Sequence, residues 1–404
     1  MSKSILKFSL FFLFLGIFQL TLLSFGYAEY GSIIFLNILY ILLTIYCLNS
    51  TKRIDWTIPI IVTFSVVLAQ WYHGQVYKPL YDDDFLYISQ GSILANKTYK
   101  SLWLLLVEEN TIRADTYKYL VAILMKLSST NYISILFVNY VCCGAVLRLL
   151  SQSTKRTSLT LLIWLSVFEL FLWSAFAFKD TLIGLLLLTQ LHILYQDKVS
   201  VGRISLFILV AFVIDEFKMG LGWSTILLAI VVLVLRKRFF TKVIARIGIM
   251  SILITVLSFT PTIISSWGFD LVHIDKIIAY NEFALNKNLG QGFLSLIRDL
   301  PIVLSPIKVT LLPVPLFLNF DFFSVAFVLA RILTFCALIY WMYLSKPYDS
   351  SGLYVNYMLI FWLSWIVVFM PGVVRHVVPF IPLISHQFLH GKSYLFRRRV
   401  AFLS

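Results

Sequence analysis

The residues best suited to chemistry lie in Tyr81-Asp82-Asp83-Asp84-Phe85-Leu86-Tyr87, where three consecutive carboxylates sit among apolar and aromatic neighbours. Lys179-Asp180, Arg298-Asp299 and Arg375-His376 repeat the theme of a charged pair at the edge of an apolar run, and Asp215-Glu216 does so more weakly. A carboxylate so placed could remove a proton from a sugar hydroxyl as it attacks an anomeric carbon. It could instead hold a divalent cation against a diphosphate. Lys and Arg could neutralise charge on a phosphate leaving group, with Arg offering two parallel hydrogen bonds. Trp71, Tyr72, Tyr77, Tyr81 and Tyr87 could stack on sugar faces.

Each feature has a plainer reading. Acidic clusters in loops are commonly just solvated, Lys179 could snorkel from a helix end, and Arg298 could simply pair with Asp299. The aromatic residues also suit a belt at a membrane surface. Glu169 and Arg331 fall deep in apolar runs and call for a partner, for which each suits the other. His73, His192, His273, His386 and His390 are scattered and make no metal-ligand motif. Cys47, Cys142, Cys143 and Cys336 lie in or beside apolar runs, which reads as buried thiols rather than a disulfide framework. No cofactor is selected by the sequence.

The elements that must position these residues are apolar. The chain of 404 residues is 60% hydrophobic and 13% charged, against about 45–50% and about 25% for a soluble domain. Apolar runs of membrane-crossing length recur. Spans are expected at about 5–26, 31–49, 56–72, 131–150, 159–177, 181–195, 203–217, 220–236, 245–265, 322–344, 354–370 and 376–390. The expected fold class is therefore all-α: a polytopic membrane bundle of about 12 transmembrane helices forming one integral membrane domain over 1–404. The apolar N-terminal run is too long for an ordinary signal peptide and is read as an uncleaved helix.

Charge placement orients this bundle. Lys3, Lys7, Lys52-Arg53, Arg148, Lys155-Arg156, Arg236-Lys237-Arg238 and Arg397-Arg398-Arg399 fall in loops assigned to one side. The positive-inside rule makes that side, and both termini, cytoplasmic. The net charge of +14 is thereby explained without a nucleic-acid partner. External segments are expected at about 73–130 and 266–320. The first holds the triple Asp and an amphipathic stretch, with Lys118 and Lys126 beside apolar residues as in an interfacial helix. The second is broken by Pro301, Pro306, Pro313 and Pro315. Under this topology Asp82–Asp84, Lys179-Asp180, Asp215-Glu216, Arg298-Asp299 and Arg375-His376 share the external side.

The layout resembles the polytopic GT-C glycosyltransferases and the Wzy-like polymerases of bacterial O-antigen and capsule loci. The features that carry the resemblance are Asp82-Asp83-Asp84-Phe85-Leu86-Tyr87 in an early external segment and Phe178-Lys179-Asp180 at a hairpin tip. The Pro-rich run from Leu304-Ser305-Pro306 to Pro313-Val314-Pro315 and the late Arg375 with Pro379 and Pro382 complete them. The resemblance implies an external acidic base, Asp83 or its neighbours Asp82 and Asp84. It also implies that Lys179, Asp180, Arg298, Arg375 and His376 bind the substrate and its polyprenyl phosphate.

Two departures bear on which group fits better. Many GT-C enzymes place the acidic loop directly after their first helix, and several carry a soluble C-terminal domain; here two more helices precede the loop and no such domain is seen. These departures favour the polymerase, which would join undecaprenyl-diphosphate-linked repeat units on the periplasmic face of a bacterial inner membrane. Its expected partners are the lipid-linked glycan, membrane lipid, and a chain-length regulator or flippase. The competing expectations are single-sugar transfer from a polyprenyl phosphate and, in another class, a flippase for a lipid-linked oligosaccharide. A transporter would carry its charges near the bilayer midplane rather than at helix ends.

Overall fold

The computed structural model describes residues 3–24, 30–74, 77–78, 82–108, 116–127, 132–152, 167–177, 179–194, 200–218, 220–235, 248–254, 256, 322–339, 350–369 and 374–387. Among them every regular element is helical and no strand occurs. In chain order the helices are α1 (Lys3–Ser24), α2 (Tyr30–Leu48), α3 (Ile58–His73), α4 (Asp82–Ala95), α5 (Tyr99–Glu108), α6 (Thr116–Leu127) and α7 (Ile133–Gln152). They continue as α8 (Phe168–Trp173), α9 (Asp180–Leu194), α10 (Val201–Phe217), α11 (Leu221–Leu235), α12 (Phe322–Ile339) and α13 (Ser350–Phe369). Two 3₁₀ segments, Arg53–Thr57 and Val374–Phe380, precede α3 and follow α13.

Among the described residues three helical stretches, Ile5–Leu22, Arg53–His73 and Ile133–Gln152, are long and apolar enough to cross a membrane. Ile34–Leu48, Asp180–Leu194 and Leu221–Val232 are apolar but shorter. Burial follows the logic of a lipid solvent. Phe8, Leu20, Leu209 and Leu227 expose more than half their surface, whereas Asp55, Asn139, Gln190 and Thr225 are buried. In water such apolar faces would have to be covered; in a bilayer they meet lipid.

The chain divides into two compact units. The first comprises Met1–Trp164, Leu170–Gln190 and Ser205–Trp223; the second comprises Leu165–Glu169, Leu191–Ile204 and Ser224–Ser404. In the first, α7 packs on α2 and α3, and α4 packs on α6. Phe18 stacks between Tyr40 at 4.2 Å and Phe137 at 5.1 Å, tying α1 to α2 and α7. In the second, Trp362 stacks on Phe380 at 5.9 Å and its indole N–H donates to Ser224 Oγ at 2.9 Å.

Three local arrangements position the charged residues. The segment after α3, expected to be an external amphipathic stretch, folds as α4, α5 and α6. Here Lys126 at the end of α6 donates to the carbonyls of Ala95 (3.0 Å) and Lys97 (2.8 Å), supplying partners for the C-terminal end of α4. The expected span to residue 177 ends instead at Trp173, and 174–177 form a buried, non-helical turn. Finally, α10 and α11 make a tight hairpin through Gly220, whose φ is +79°. Asp215 Oδ1 accepts from the Trp223 N–H at 3.4 Å in the first turn of α11, as a capping carboxylate does.

The turn closes because Gly222 lets the start of α11 lie directly against Ala211 and Asp215 at the end of α10. A Cβ there would run into the main-chain carbonyl of Ala211 and come within 2.7 Å of the Asp215 Cβ. Backbone cannot step aside as a side-chain tip can. Gly222→Leu is therefore expected to lower stability by roughly 3 kcal/mol, read as a fall in the thermal midpoint in detergent micelles. Gly202→Leu, where an added Cβ meets nothing within 4 Å, is the control and should leave the midpoint unchanged.

Candidate functional site

One end of the first unit gathers several of the charged residues singled out above. Lys179 is the residue before α9, and its carbonyl accepts the Ile183 N–H at 3.0 Å. Its ammonium lies 5.7 Å above the ring of Tyr87 in α4, a cation–π contact. Tyr87 meets Tyr117 of α6 edge-on at 5.0 Å, and Tyr117 meets Phe217 of α10 at 6.0 Å. Asp180 opens α9 and is buried, at the helix end where the macrodipole favours a carboxylate. Glu216 accepts a long, 3.5 Å hydrogen bond from Thr116 Oγ1. Burial raises the pKa of the Tyr117 phenol well above its usual value, and the nearby Tyr87 and Asp180 add to the effect. Tyr117 therefore stays a neutral O–H beside Asp180 at physiological pH.

Asp82, Asp83 and Asp84 form the first turn of α4, about 8 Å or less along the helix axis from Tyr87. The triple Asp is thus a helix start rather than a loop. A plain structural account exists for this, since acids in a first turn complement the helix dipole. Their side chains, and that of Arg375, lie outside what is described. Arg298 lies outside the described residues altogether. Arg375 and His376 belong to the 3₁₀ segment Val374–Phe380 of the second unit, where His376 is half-buried. Glu169 is buried, and the side chain of its expected partner Arg331 is outside those described. Asp215 is taken up in capping α11.

The rings near this end are not a free sugar platform. Tyr77 stacks on His73 at 4.7 Å, Tyr132 packs against both, and Tyr72 meets Phe176 at 6.0 Å. Trp71, three-quarters exposed, faces outward.

At the opposite end of α3 and α7 a second cluster forms that the sequence did not single out. Asp55 is fully buried. Its carboxylate lies 3.6 Å from Arg148 Nη1 and accepts from Ser50 Oγ. Arg148 also donates to the Tyr46 carbonyl at 3.4 Å and sits 5.1 Å over the Tyr46 ring. Lys52 donates to the Ser151 carbonyl, and Trp56 Nε1 donates to the Ser50 carbonyl at 3.1 Å. Burial lowers the pKa of the Lys52 ammonium; Asp55 opposes this and Arg148 adds to it. These bonds join the ends of α2, α3 and α7. The signal available in sequence was an Asp among basic residues in a short loop, and its partner is distant along the chain.

The chain matches no protein-family model, no curated protein and no solved structure.

Because Asp55 is wholly buried beside Arg148, removing one partner strands the other. Arg148→Met is expected to destabilise by roughly 3–5 kcal/mol. Combining it with Asp55→Leu should recover much of that loss. Thermal unfolding of the single and double variants in detergent measures this, and additive losses would show that the two charges do not interact.

Proposed function

We propose that the protein is a multi-pass membrane glycosyltransferase of the surface-polysaccharide polymerase type. It joins polyprenyl-diphosphate-linked repeat units on the external face of a bacterial inner membrane. In this reading the bundle has about twelve spans and both termini are cytoplasmic. The observation that supports it is the gathering of Lys179, Asp180, Glu216 and the first turn of α4 at one end of a single helical unit. The basic Lys52–Arg148 cluster occupies the far end of α3 and α7, opposite the end from which His73 and Asn139 bond the turn before Lys179. Charges collected at helix ends suit an enzyme that works at the membrane surface better than a transporter with midplane charges.

Each residue then has a role. An Asp in the first turn of α4 takes the proton of the attacking sugar hydroxyl. Lys179 compensates the charge that develops on the diphosphate as the glycosidic carbon–oxygen bond breaks. The proton passes from the acceptor hydroxyl to the carboxylate, and the bonding pair leaves with the polyprenyl diphosphate, so the step balances without a redox partner. The resemblance assigns substrate and phosphate binding to Arg298, Arg375 and His376 as well. A chain-length regulator or a flippase is the protein partner this reading expects.

Deleting the gene and complementing with Asp83→Asn, Lys179→Ala or Arg375→Ala tests this on a gel of surface polysaccharide. The expected pattern is single repeat units on the lipid core in place of a ladder. A full ladder from all three variants overturns the proposal, and loss of even the single units would point to a flippase.

A further inference from the structure

Lys179 and Asp180 follow a piece of backbone that has no local reason to leave the helix. Ser174-Ala175-Phe176-Ala177 contains neither Gly nor Pro, and Ala is the strongest helix former. All four residues are buried, yet the chain turns there. The Ser174, Ala175 and Phe176 N–H groups still bond back to the Leu170 (3.0 Å), Leu172 (3.2 Å) and Trp173 (3.1 Å) carbonyls. The Ala175 and Phe176 carbonyls and the Ala177 N–H, however, take their partners from elsewhere. The Ala175 carbonyl accepts from His73 Nε2 at 2.7 Å, and the Phe176 carbonyl accepts from Asn139 Nδ2 at 2.9 Å. The Ala177 N–H donates to the Tyr77 phenol oxygen at 2.9 Å. Ser174 Oγ adds bonds to the Leu170 carbonyl at 2.7 Å and to Thr181 at 3.1 Å.

The three outside partners are themselves fixed. His73 Nδ1 accepts the Lys78 N–H at 3.1 Å, so the ring is neutral with its proton on Nε2, aimed at Ala175. Tyr77 lies flat on that ring. Tyr132 holds the segment between them by donating to the Gly74 carbonyl at 3.0 Å. Asn139 is buried in the N-terminal half of α7.

We propose that His73, Tyr77 and Asn139 are positioning residues: they hold the 174–177 turn open so that Lys179 is presented over Tyr87, ready for the diphosphate of a polyprenyl-linked substrate. The clamp geometry stands alone, while the ligand rests on the function proposed above. None of the three touches substrate. They act through the backbone that leads into Lys179.

The test separates the two layers. In a Cys336→Ser background, Lys179→Cys is labelled in membranes with a membrane-impermeant maleimide. Tyr77→Phe, Asn139→Leu and His73→Leu should each change the labelling rate by about tenfold, the order expected for losing one such bond. His73→Gln, which restores an N–H donor, should stay within about twofold of the parent. With Lys179 intact, undecaprenyl diphosphate is titrated onto the full chain in nanodiscs. Tyr77→Phe and Lys179→Ala should both raise its Kd about tenfold, and His73→Gln should not. If His73→Leu fails to accumulate, Tyr77→Phe, which keeps the ring, decides. Unchanged labelling in Tyr77→Phe and Asn139→Leu overturns the clamp. A Kd raised by Lys179→Ala but untouched by Tyr77→Phe overturns positioning and leaves the functional reading in place. No binding of undecaprenyl diphosphate by the parent chain, with labelling still responsive, overturns the ligand and the functional reading while the clamp stands.

Discussion

A buried peptide group must find a hydrogen-bond partner, and that requirement governs how the first unit is built. A helix meets it internally. Where the chain stops being helical inside the unit, local turn bonds meet part of the need and side chains from other helices supply the rest. At the turn 174–177, His73, Tyr77 and Asn139 answer this demand from α3, the segment after α3, and α7. Because those partners sit at one end of α3 and α7, the turn is fixed there too, and Lys179 and Asp180 with it. Tyr87, Tyr117 and Phe217 then link α4, α6 and α10 to the same end.

The opposite end is closed by a different device. Asp55 and Arg148 are removed from water together, with Ser50 and Tyr46 taking up further bonding capacity. An isolated buried carboxylate would be costly, so the pair stands or falls as a unit. Between the two ends the helices present apolar side chains outward and polar ones inward, as Leu209 and Gln190 illustrate. Polar groups in such an interior must be satisfied locally: Thr44, Thr63 and Ser364 each donate to the carbonyl four residues back.

Helical character and the presence of apolar helices long enough to cross a membrane were legible in the sequence because composition and run length report them directly. The triple Asp was visible as a cluster, but its place as the first turn of α4 was not, since an acidic helix start and an acidic loop look alike without a clear cap. The break at 174–177 was hidden because Ala-rich sequence favours helix; tertiary hydrogen bonds override that preference. The Asp55–Arg148 pair was hidden by the long stretch of chain between its members. Gly222 reads in sequence as an ordinary small residue in an apolar helix, and its role appears only once the Ala211 carbonyl lies against it.

The proposed function requires the Lys179 end of this unit to face the external side of the membrane. Single cysteines at Lys78 and Lys52, in a chain lacking Cys336, address that directly through a membrane-impermeant thiol reagent applied to intact spheroplasts. The account predicts that Lys78→Cys is labelled at once and Lys52→Cys only after the membrane is permeabilised. Labelling of both positions from the same side, or the reverse order, would contradict it.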